Sequence, residues 1–373
     1  MLNFVLQLFP DTEVTYKFNN RSKQKFNEVF LAALYKEINE NLPKLKVTQD
    51  ELNWMKNACP YLPITFFEYF KNFKFNPDLV KIEYYNGTLD LTISGLWRET
   101  ILYEVPLLAI ISELYFKHVD TNWNMDGQKE KLINKAKILN HNNCHFSEFG
   151  TRRRRNFEVQ DLAMEVFKDY SACNGTSNMF LAKKYGTKVI GTMAHEICQA
   201  MSALESMNHP NYYMLNNWIK VYNTSLGIAL TDCYTTDSFL KNFSARFAKL
   251  YDGVRHDSGD PFAFINKIVD HYKKLNINPM HKVIVFSDSL DVTKATAIKQ
   301  RCEGKINCAF GIGTNFTNDF ENSPALNIVI KLNSVNNIPV VKLSDDVGKC
   351  IGTEDAVRVM KYIHCGTPLD TEK

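Results

Sequence analysis

Apolar and polar residues alternate over Val14-Thr-Tyr-Lys-Phe18, which predicts a strand closed by Asn19-Asn20. Between Phe26 and Ile38 the apolar residues Phe26, Phe30, Ala33, Leu34 and Ile38 recur at helical spacing and give a helix one buried face. Alternation returns over Leu89-Asp-Leu-Thr-Ile93 after the turn Asn86-Gly87, and a long apolar helix is predicted from Glu99 to Phe116. The stretch from Asn122 to Asn143 is polar, rich in lysine and helical in composition, as suits a surface connection. This half of the chain reads as α+β.

From about Phe149 the pattern becomes a strand, a polar or glycine tip, then a helix. Lys188-Val-Ile-Gly-Thr192 runs into Met193 to Met207, and Leu226 to Leu230 ends in Thr231-Asp232 before Asp237 to Leu250. Asp252 to Val254 ends in Arg255-His-Asp-Ser-Gly-Asp260 before Phe262 to Tyr272, and Lys282 to Phe286 ends in Ser287-Asp288 before Val292 to Arg301. Cys308-Ala-Phe310 ends in Gly311-Ile-Gly-Thr314. Such alternation predicts parallel β/α units, most simply a barrel or partial barrel, with chemistry at the carboxyl ends of the strands. Leu326 to Leu332 and Ile338 to Leu343, separated by Asn336-Asn337, read as a hairpin. No repeat of solenoid length is present.

At 373 residues the chain has room for about two structural units of roughly 150 residues or more. A formal charge of +3 is too small for binding nucleic acid or membrane by bulk charge, so basic function must be local. The nine cysteines are an odd number with no C-x-x-C pair, which argues for free thiols in a reducing compartment over disulfides or structural zinc. Met1 to Phe9 lacks a basic leader and runs into Pro10-Asp11, and the apolar stretch around Val105 to Ile111 is too short to span a bilayer. A cytoplasmic protein without membrane or nucleic-acid partners is expected.

Five loops carry candidate chemistry. Thr151-Arg-Arg-Arg-Arg155 is predicted to open a helix, where guanidinium groups, amide donors and the dipole favour an anion; a phosphate site competes with a solvated basic helix start. Gly311-Ile-Gly-Thr314 is not a dinucleotide fingerprint, and no P-loop motif occurs, but its glycines let backbone approach a phosphate, with Thr314 adding a hydroxyl. Arg255 to Asp260 packs a cation, an imidazole and two carboxylates into six residues, a density costly to bury without a role. Asp257 and Asp288, on successive tips, suit ribose hydroxyls or Mg²⁺; no metal ligand is certain. His195 lies just past the first predicted strand of the series, where an imidazole can act as base or accept a phosphoryl group.

Seven runs in order carry a resemblance: Phe149-Gly-Thr-Arg-Arg-Arg154, Gly175-Thr-Ser-Asn178, Gly191-Thr-Met-Ala-His-Glu196, Leu226-Gly-Ile-Ala-Leu-Thr-Asp232, Arg255-His-Asp-Ser-Gly-Asp260, Phe286-Ser-Asp288 and Phe310-Gly-Ile-Gly-Thr314. Together with Trp97-Arg-Glu99 and Glu104-Val-Pro-Leu107 they closely resemble nicotinate phosphoribosyltransferases, over nearly the whole chain to about residue 349. The resemblance implies an α/β chain of the type II phosphoribosyltransferase fold. A barrel-like β/α catalytic domain would span 145–325, and a smaller α+β domain would be built from 1–120 and 326–373. It further implies synthesis of nicotinate mononucleotide and diphosphate from nicotinate and 5-phosphoribosyl 1-diphosphate in NAD salvage, with coupled ATP hydrolysis, Mg²⁺ and a homodimer. His195 matches the residue phosphorylated by ATP, Thr192 and Arg255 match positions that hold nicotinate, and Thr314 matches one that binds the sugar diphosphate.

Roles for the other residues follow from their chemistry within that resemblance. Phe149 would stack on the pyridine ring, Arg152, Gly313 and Thr314 would hold phosphates, and Asp257 and Asp288 would hold the ribose or its Mg²⁺. Nicotinamide phosphoribosyltransferases resemble the chain more distantly and carry Asp where Ser177 stands, so Ser177 favours the acid. A silent binding protein of the same fold is the remaining alternative. Family members usually carry an Asp-x-Tyr-Lys stretch shortly before the methionine aligned with Met1, its tyrosine covering the pyridine ring. This sequence starts after it, which leaves open an upstream start, a substitute aromatic or an impaired product.

Overall fold

A computed structural model describes residues 1–346 and 350–368. The end of the family resemblance near residue 349, and residues 369–373 of the predicted α+β segment, lie outside the described residues. The chain packs as two compact units, one of residues 2–191 and 312–331, the other of Met1, residues 192–311 and the chain from 332 onward.

In the amino-terminal unit, strands β1 (Glu13–Asn20), β2 (Val80–Tyr85) and β3 (Thr88–Leu96) form an antiparallel sheet with β3 central. Asn86 and Gly87 join β2 to β3 at φ 48° and 77°, the left-handed pair that a two-residue hairpin requires. The period-two pattern is realised as burial: Val14, Tyr16 and Phe18 of β1 and Leu89, Leu91 and Ile93 of β3 all face inward. A separate cluster forms where Leu2, Leu52, Met55, Phe66 and Phe67 pack together. The long helix predicted from Glu99 is two, Trp97–Thr100 and Glu104–His118. Pro106 explains the break, because its ring would collide with the carbonyl of Leu102 in a continuous helix but is tolerated in a first turn.

The same unit holds a parallel pair, β4 (Phe146–Glu148) and β5 (Cys173–Thr176), connected through the helix Phe157–Phe167. The strand predicted at Lys188–Thr192 does not form; its pairing is a single bridge between Thr176 and Val189. Gly175, at φ 137°, lets the backbone at Lys188 approach so closely that a Cβ would lie 2.1 Å from the Lys188 carbonyl oxygen, and the contact ends within two residues. Residues 145–191, placed in the β/α domain by the resemblance, pack in this unit, where Arg154 and its neighbours are tied to the helix Glu104–His118. Ser112 donates to the Arg154 carbonyl at 2.7 Å, and the Arg154 side chain donates to Glu113.

The second unit is an α/β layer. Strands β6 (Ile228–Leu230), β7 (Gly253–His256), β8 (Val283–Phe286) and β9 (Asn307–Ile312) form a parallel ladder in chain order, β9 entering it through Phe310. The polar tips do two jobs: Asp260 accepts from Phe262 and Ala263 amides to start the helix Pro261–Lys274, and Asp291 caps Val292–Cys302 through Lys294. Phe264, Ile265, Ile268, Val269 and Tyr272 of the first helix are buried, the 3.6-residue stripe expected of a helix covering a sheet. The helix predicted over Asp237 to Leu250 is two, Thr236–Asn242 and Ala245–Leu250, because Phe243 turns inward against Phe239 and Tyr272 and Ser244 starts a new turn. The predicted hairpin is present as β10 (Ile328–Val335) and β11 (Ile338–Pro339), with Asn336 and Asn337 at φ 46° and 62°. Its second strand is shorter than predicted, and past Pro339 the Val340 amide still donates to the Asn333 carbonyl at 3.1 Å.

Candidate active site

At the carboxyl ends of β6, β7 and β8 the second unit gathers a buried polar cluster. Asp232, wholly buried two residues past β6, presents Oδ1 to His195 Nε2 at 2.9 Å. Its Oδ2 accepts from the Ser258 hydroxyl at 2.7 Å and meets the Lys342 ammonium at 2.9 Å. Asp257 Oδ2 lies 3.7 Å from the same imidazole nitrogen. Burial, with the Lys342 cation nearby, lowers His195 to about 4 against the pull of the carboxylates, so the ring is neutral at pH 7. Burial pushes the Asp232 carboxyl up, but the Lys342 charge and the hydrogen bonds from His195 and Ser258 outweigh it and hold the group ionised. With Nε2–H given to Asp232, the tautomer that fits leaves the lone pair on Nδ1.

Arg255, at the third position of β7, is 7% exposed. Its Nη1 donates to Asp257 at 3.2 Å and Ser287 at 3.3 Å, and its Nη2 donates to the Met193 carbonyl at 2.9 Å. Nε is buried and has no partner among the described residues. Thr192, half-buried, directly precedes Met193, and Asp288 stands two residues past β8 with its carbonyl accepting from Lys294. His195, Asp257 and Arg255 thus form one contact network, and Asp288 sits on the neighbouring tip.

His195, Asp232 and Asp257 offer ligand atoms within 4.8 Å of one another. That set does not suit Mg²⁺, because Lys342 and Ser258 already occupy Oδ2 of Asp232 and Arg255 holds Asp257.

The loop after β4 belongs to the amino-terminal unit. Glu148, wholly buried, accepts from the Gly150 amide, from Gln160 at 2.9 Å and from the Thr176 hydroxyl at 2.6 Å, while Ser177 N donates to its carbonyl at 2.9 Å. Burial pushes its carboxyl up, and these donors offset part of the rise. One acidic side chain therefore ties together the loops bearing Phe149 and Ser177. A Cβ on Gly150 would sit 2.2 Å from the Thr317 hydroxyl, and one on Gly313 would sit 3.0 Å from the Phe149 carbonyl oxygen. Gly150→Ala should therefore displace the loop and cost on the order of 1–3 kcal/mol, read as a lower thermal midpoint; an unchanged midpoint contradicts the packing.

The arginine run departs from the sequence expectation. Thr151–Arg153 is one 3₁₀ turn, and the α-helix begins at Phe157 with Asn156 as its cap. The four guanidinium groups diverge: Arg152 pairs with Glu104, which also meets Lys331; Arg153 donates to the Ile328 carbonyl; Arg154 pairs with Glu113; Arg155 is wholly buried. Arg152 alone of them combines a shared carboxylate with substantial side-chain exposure, 44%. Phe149, Gly313 and Thr314 are half-buried in the same unit, and the Phe149 amide donates to the Ile312 carbonyl at 2.8 Å.

Sequence reasoning did not nominate Asp232, Ser258, Lys342 or Glu148. Asp232 had a signal, its place on a strand tip, whereas Lys342 sits in the predicted hairpin, which carried no expectation of chemistry.

A sequence profile described as the nicotinate phosphoribosyltransferase (NAPRTase) family matches residues 144–366, and its N-terminal domain profile matches residues 1–112. The chain belongs to the nicotinate phosphoribosyltransferase family. The nicotinate phosphoribosyltransferase of Methanosarcina acetivorans is 46% identical over 96% of this chain and 94% of its own length. That of Saccharomyces cerevisiae is 40% identical over 95% and 89%. The crystal structure of the nicotinate phosphoribosyltransferase from Porphyromonas gingivalis superposes with a TM-score of 0.93 at 37% identity, covering 97% of this chain and 96% of that one. The fold class expected from the resemblance is thus the fold of the family: a parallel-sheet α/β domain with an antiparallel-sheet domain. Among the described residues no helix is long and apolar enough to cross a membrane.

Proposed function

We propose that the chain joins nicotinate to 5-phosphoribosyl 1-diphosphate, giving nicotinate mononucleotide and diphosphate for NAD salvage. The observation that carries the choice of the acid is Arg255: a buried guanidinium whose Nε–H has no partner among the described residues is costly unless a ligand acceptor fills it. Nicotinate's carboxylate supplies that acceptor with a charge, whereas an amide offers a neutral one. The pyridine nitrogen attacks the anomeric carbon as the C–O bond to diphosphate breaks. Arg152, Gly313 and Thr314 are assigned to the phosphates, Phe149 to the ring and Asp288 to the substrate's Mg²⁺. Ser177 and Thr192 are assigned to the nicotinate side of the site.

We further read the reaction as coupled to ATP through His195, in a homodimer. Nδ1 of the neutral ring attacks the γ-phosphorus, the bond to the β,γ-bridging oxygen breaks, and ADP leaves. The ring then holds a proton on Nε2 and positive charge, which the Asp232 carboxylate at 2.9 Å stabilises. Phosphorylation adds charge and acceptor oxygens that bias nearby loops toward tighter substrate binding, and hydrolysis of the N–P bond resets the enzyme.

The test is a competition between nicotinate and nicotinamide with the sugar diphosphate, ATP and Mg²⁺. Nicotinate mononucleotide should be the main product; faster turnover of nicotinamide would reject the acid reading, and binding without turnover would favour a silent protein. Arg255→Lys keeps the charge but loses the fork, so KM for nicotinate should rise tenfold or more, by roughly the worth of a charged hydrogen bond. An unchanged KM would detach Arg255 from the carboxylate.

A further inference from the structure

Lys342 lies outside the β/α repeats, between the hairpin and residue 346, yet its ammonium is buried to 12% exposure in the His195 cluster. The chain there is anchored from three sides. The Lys342 amide pairs with Ile351, the Leu343 amide donates to the Cys233 carbonyl at 2.8 Å, and the Asp345 amide donates to the Ser258 hydroxyl at 3.1 Å. Asp345 in turn receives the Thr236 amide at 2.8 Å. These bonds set the lysine's backbone within one residue of β6's polar tip, so its position is built and not incidental.

The charges of the cluster balance. Lys342 pairs with Asp232, and Arg255 with Asp257, around a neutral imidazole. A phosphoryl group on that ring would bring net negative charge into a site with little water to screen it. Arg255 is poorly placed to answer, since three of its five N–H donors are committed to Asp257, Ser287 and Met193 and its Nε–H is the donor assigned to nicotinate. An ammonium has three donors on a flexible stem, and Asp232 uses one. His195 and Lys342 occupy the two oxygens of the same carboxylate.

We propose that Lys342 is a positioning residue for the phosphohistidine: it holds Asp232 as an anion against Nε2 of His195 and balances the charge that a phosphoryl group on Nδ1 introduces. The proposal rests on the reading of His195 as the phosphorylated residue. It involves no bond change beyond the transfer already described, and Lys342 neither gives nor takes a proton.

Wild type, Lys342→Met, Lys342→Gln and the surface control Lys267→Met are incubated with γ-labelled ATP and Mg²⁺. Base-stable phosphoenzyme and its half-life are measured, with folding checked by thermal midpoint. Loss of one charged contact predicts at least a tenfold fall in phosphoenzyme level or half-life for both Lys342 variants, with Lys267→Met like wild type. Lys342→Gln keeps a donor for Asp232 and secures the result if the methionine variant does not fold. Wild-type phosphoenzyme in either folded Lys342 variant overturns the proposal while leaving His195's role intact. No phosphoenzyme in wild type overturns both.

Discussion

His195→Ala should form no phosphoenzyme, and its turnover with ATP should fall to the level seen without ATP, a loss of about two orders of magnitude if the imidazole supplies the usual worth of a positioned catalytic group. The geometry behind this is restrictive. One ring nitrogen is held by a wholly buried carboxylate, the ring is neutral at pH 7, and the lone pair on Nδ1 is the nucleophile that remains. Asp232→Asn should lower phosphoenzyme formation without abolishing it, because an amide still fixes the ring but no longer stabilises its positive charge. Rapid-quench labelling measures both. ATP stimulation that survives His195→Ala would place the energy coupling elsewhere.

Arg155→Ala should be among the most damaging substitutions for stability, costing about 3–5 kcal/mol. The guanidinium lies over the rings of Phe116, Phe320 and Trp123, at 3.5, 4.1 and 5.1 Å from their centroids, and donates from Nη1 to Ser323 at 2.6 Å. Ser323 in turn donates its hydroxyl to the Asp120 carboxylate at 2.7 Å. Truncation opens a cavity among three aromatic faces and removes the buried cation nearest Asp120. Burial lowers the guanidinium to about 10, which still leaves it charged at neutral pH. Calorimetry should show the transition of the amino-terminal unit falling by on the order of 10 °C, with the phosphorylation chemistry of His195 retained below it. A midpoint within a degree of wild type would show that the aromatic cage does not depend on its cation.

Arg155 also marks where the sequence stops being informative. Four consecutive arginines read naturally as one anion site, but local sequence cannot tell which guanidinium turns inward; contacts with Phe116 and Ser323, distant in sequence, decide it. The β/α tips were legible because the same residues that serve chemistry also cap helices, as Asp260 does, so pattern and function coincide. The break at Leu102 was available from Pro106, a backbone effect carried by one residue. The failed strand at Lys188 was not, since it depends on Gly175 pressing against a segment thirteen residues away. Lys342 was hidden for another reason: a lone lysine in a strand-like run usually faces solvent, and only the fold brings it onto Asp232.

The most direct measurement is the stoichiometry of one reaction mixture holding nicotinate, 5-phosphoribosyl 1-diphosphate, Mg²⁺ and ATP. Nicotinate mononucleotide, diphosphate and ADP should appear together, with the rate falling sharply when ATP is left out. ADP release without nicotinate mononucleotide, or product formed equally well without ATP, would contradict a phosphoribosyl transfer driven through His195.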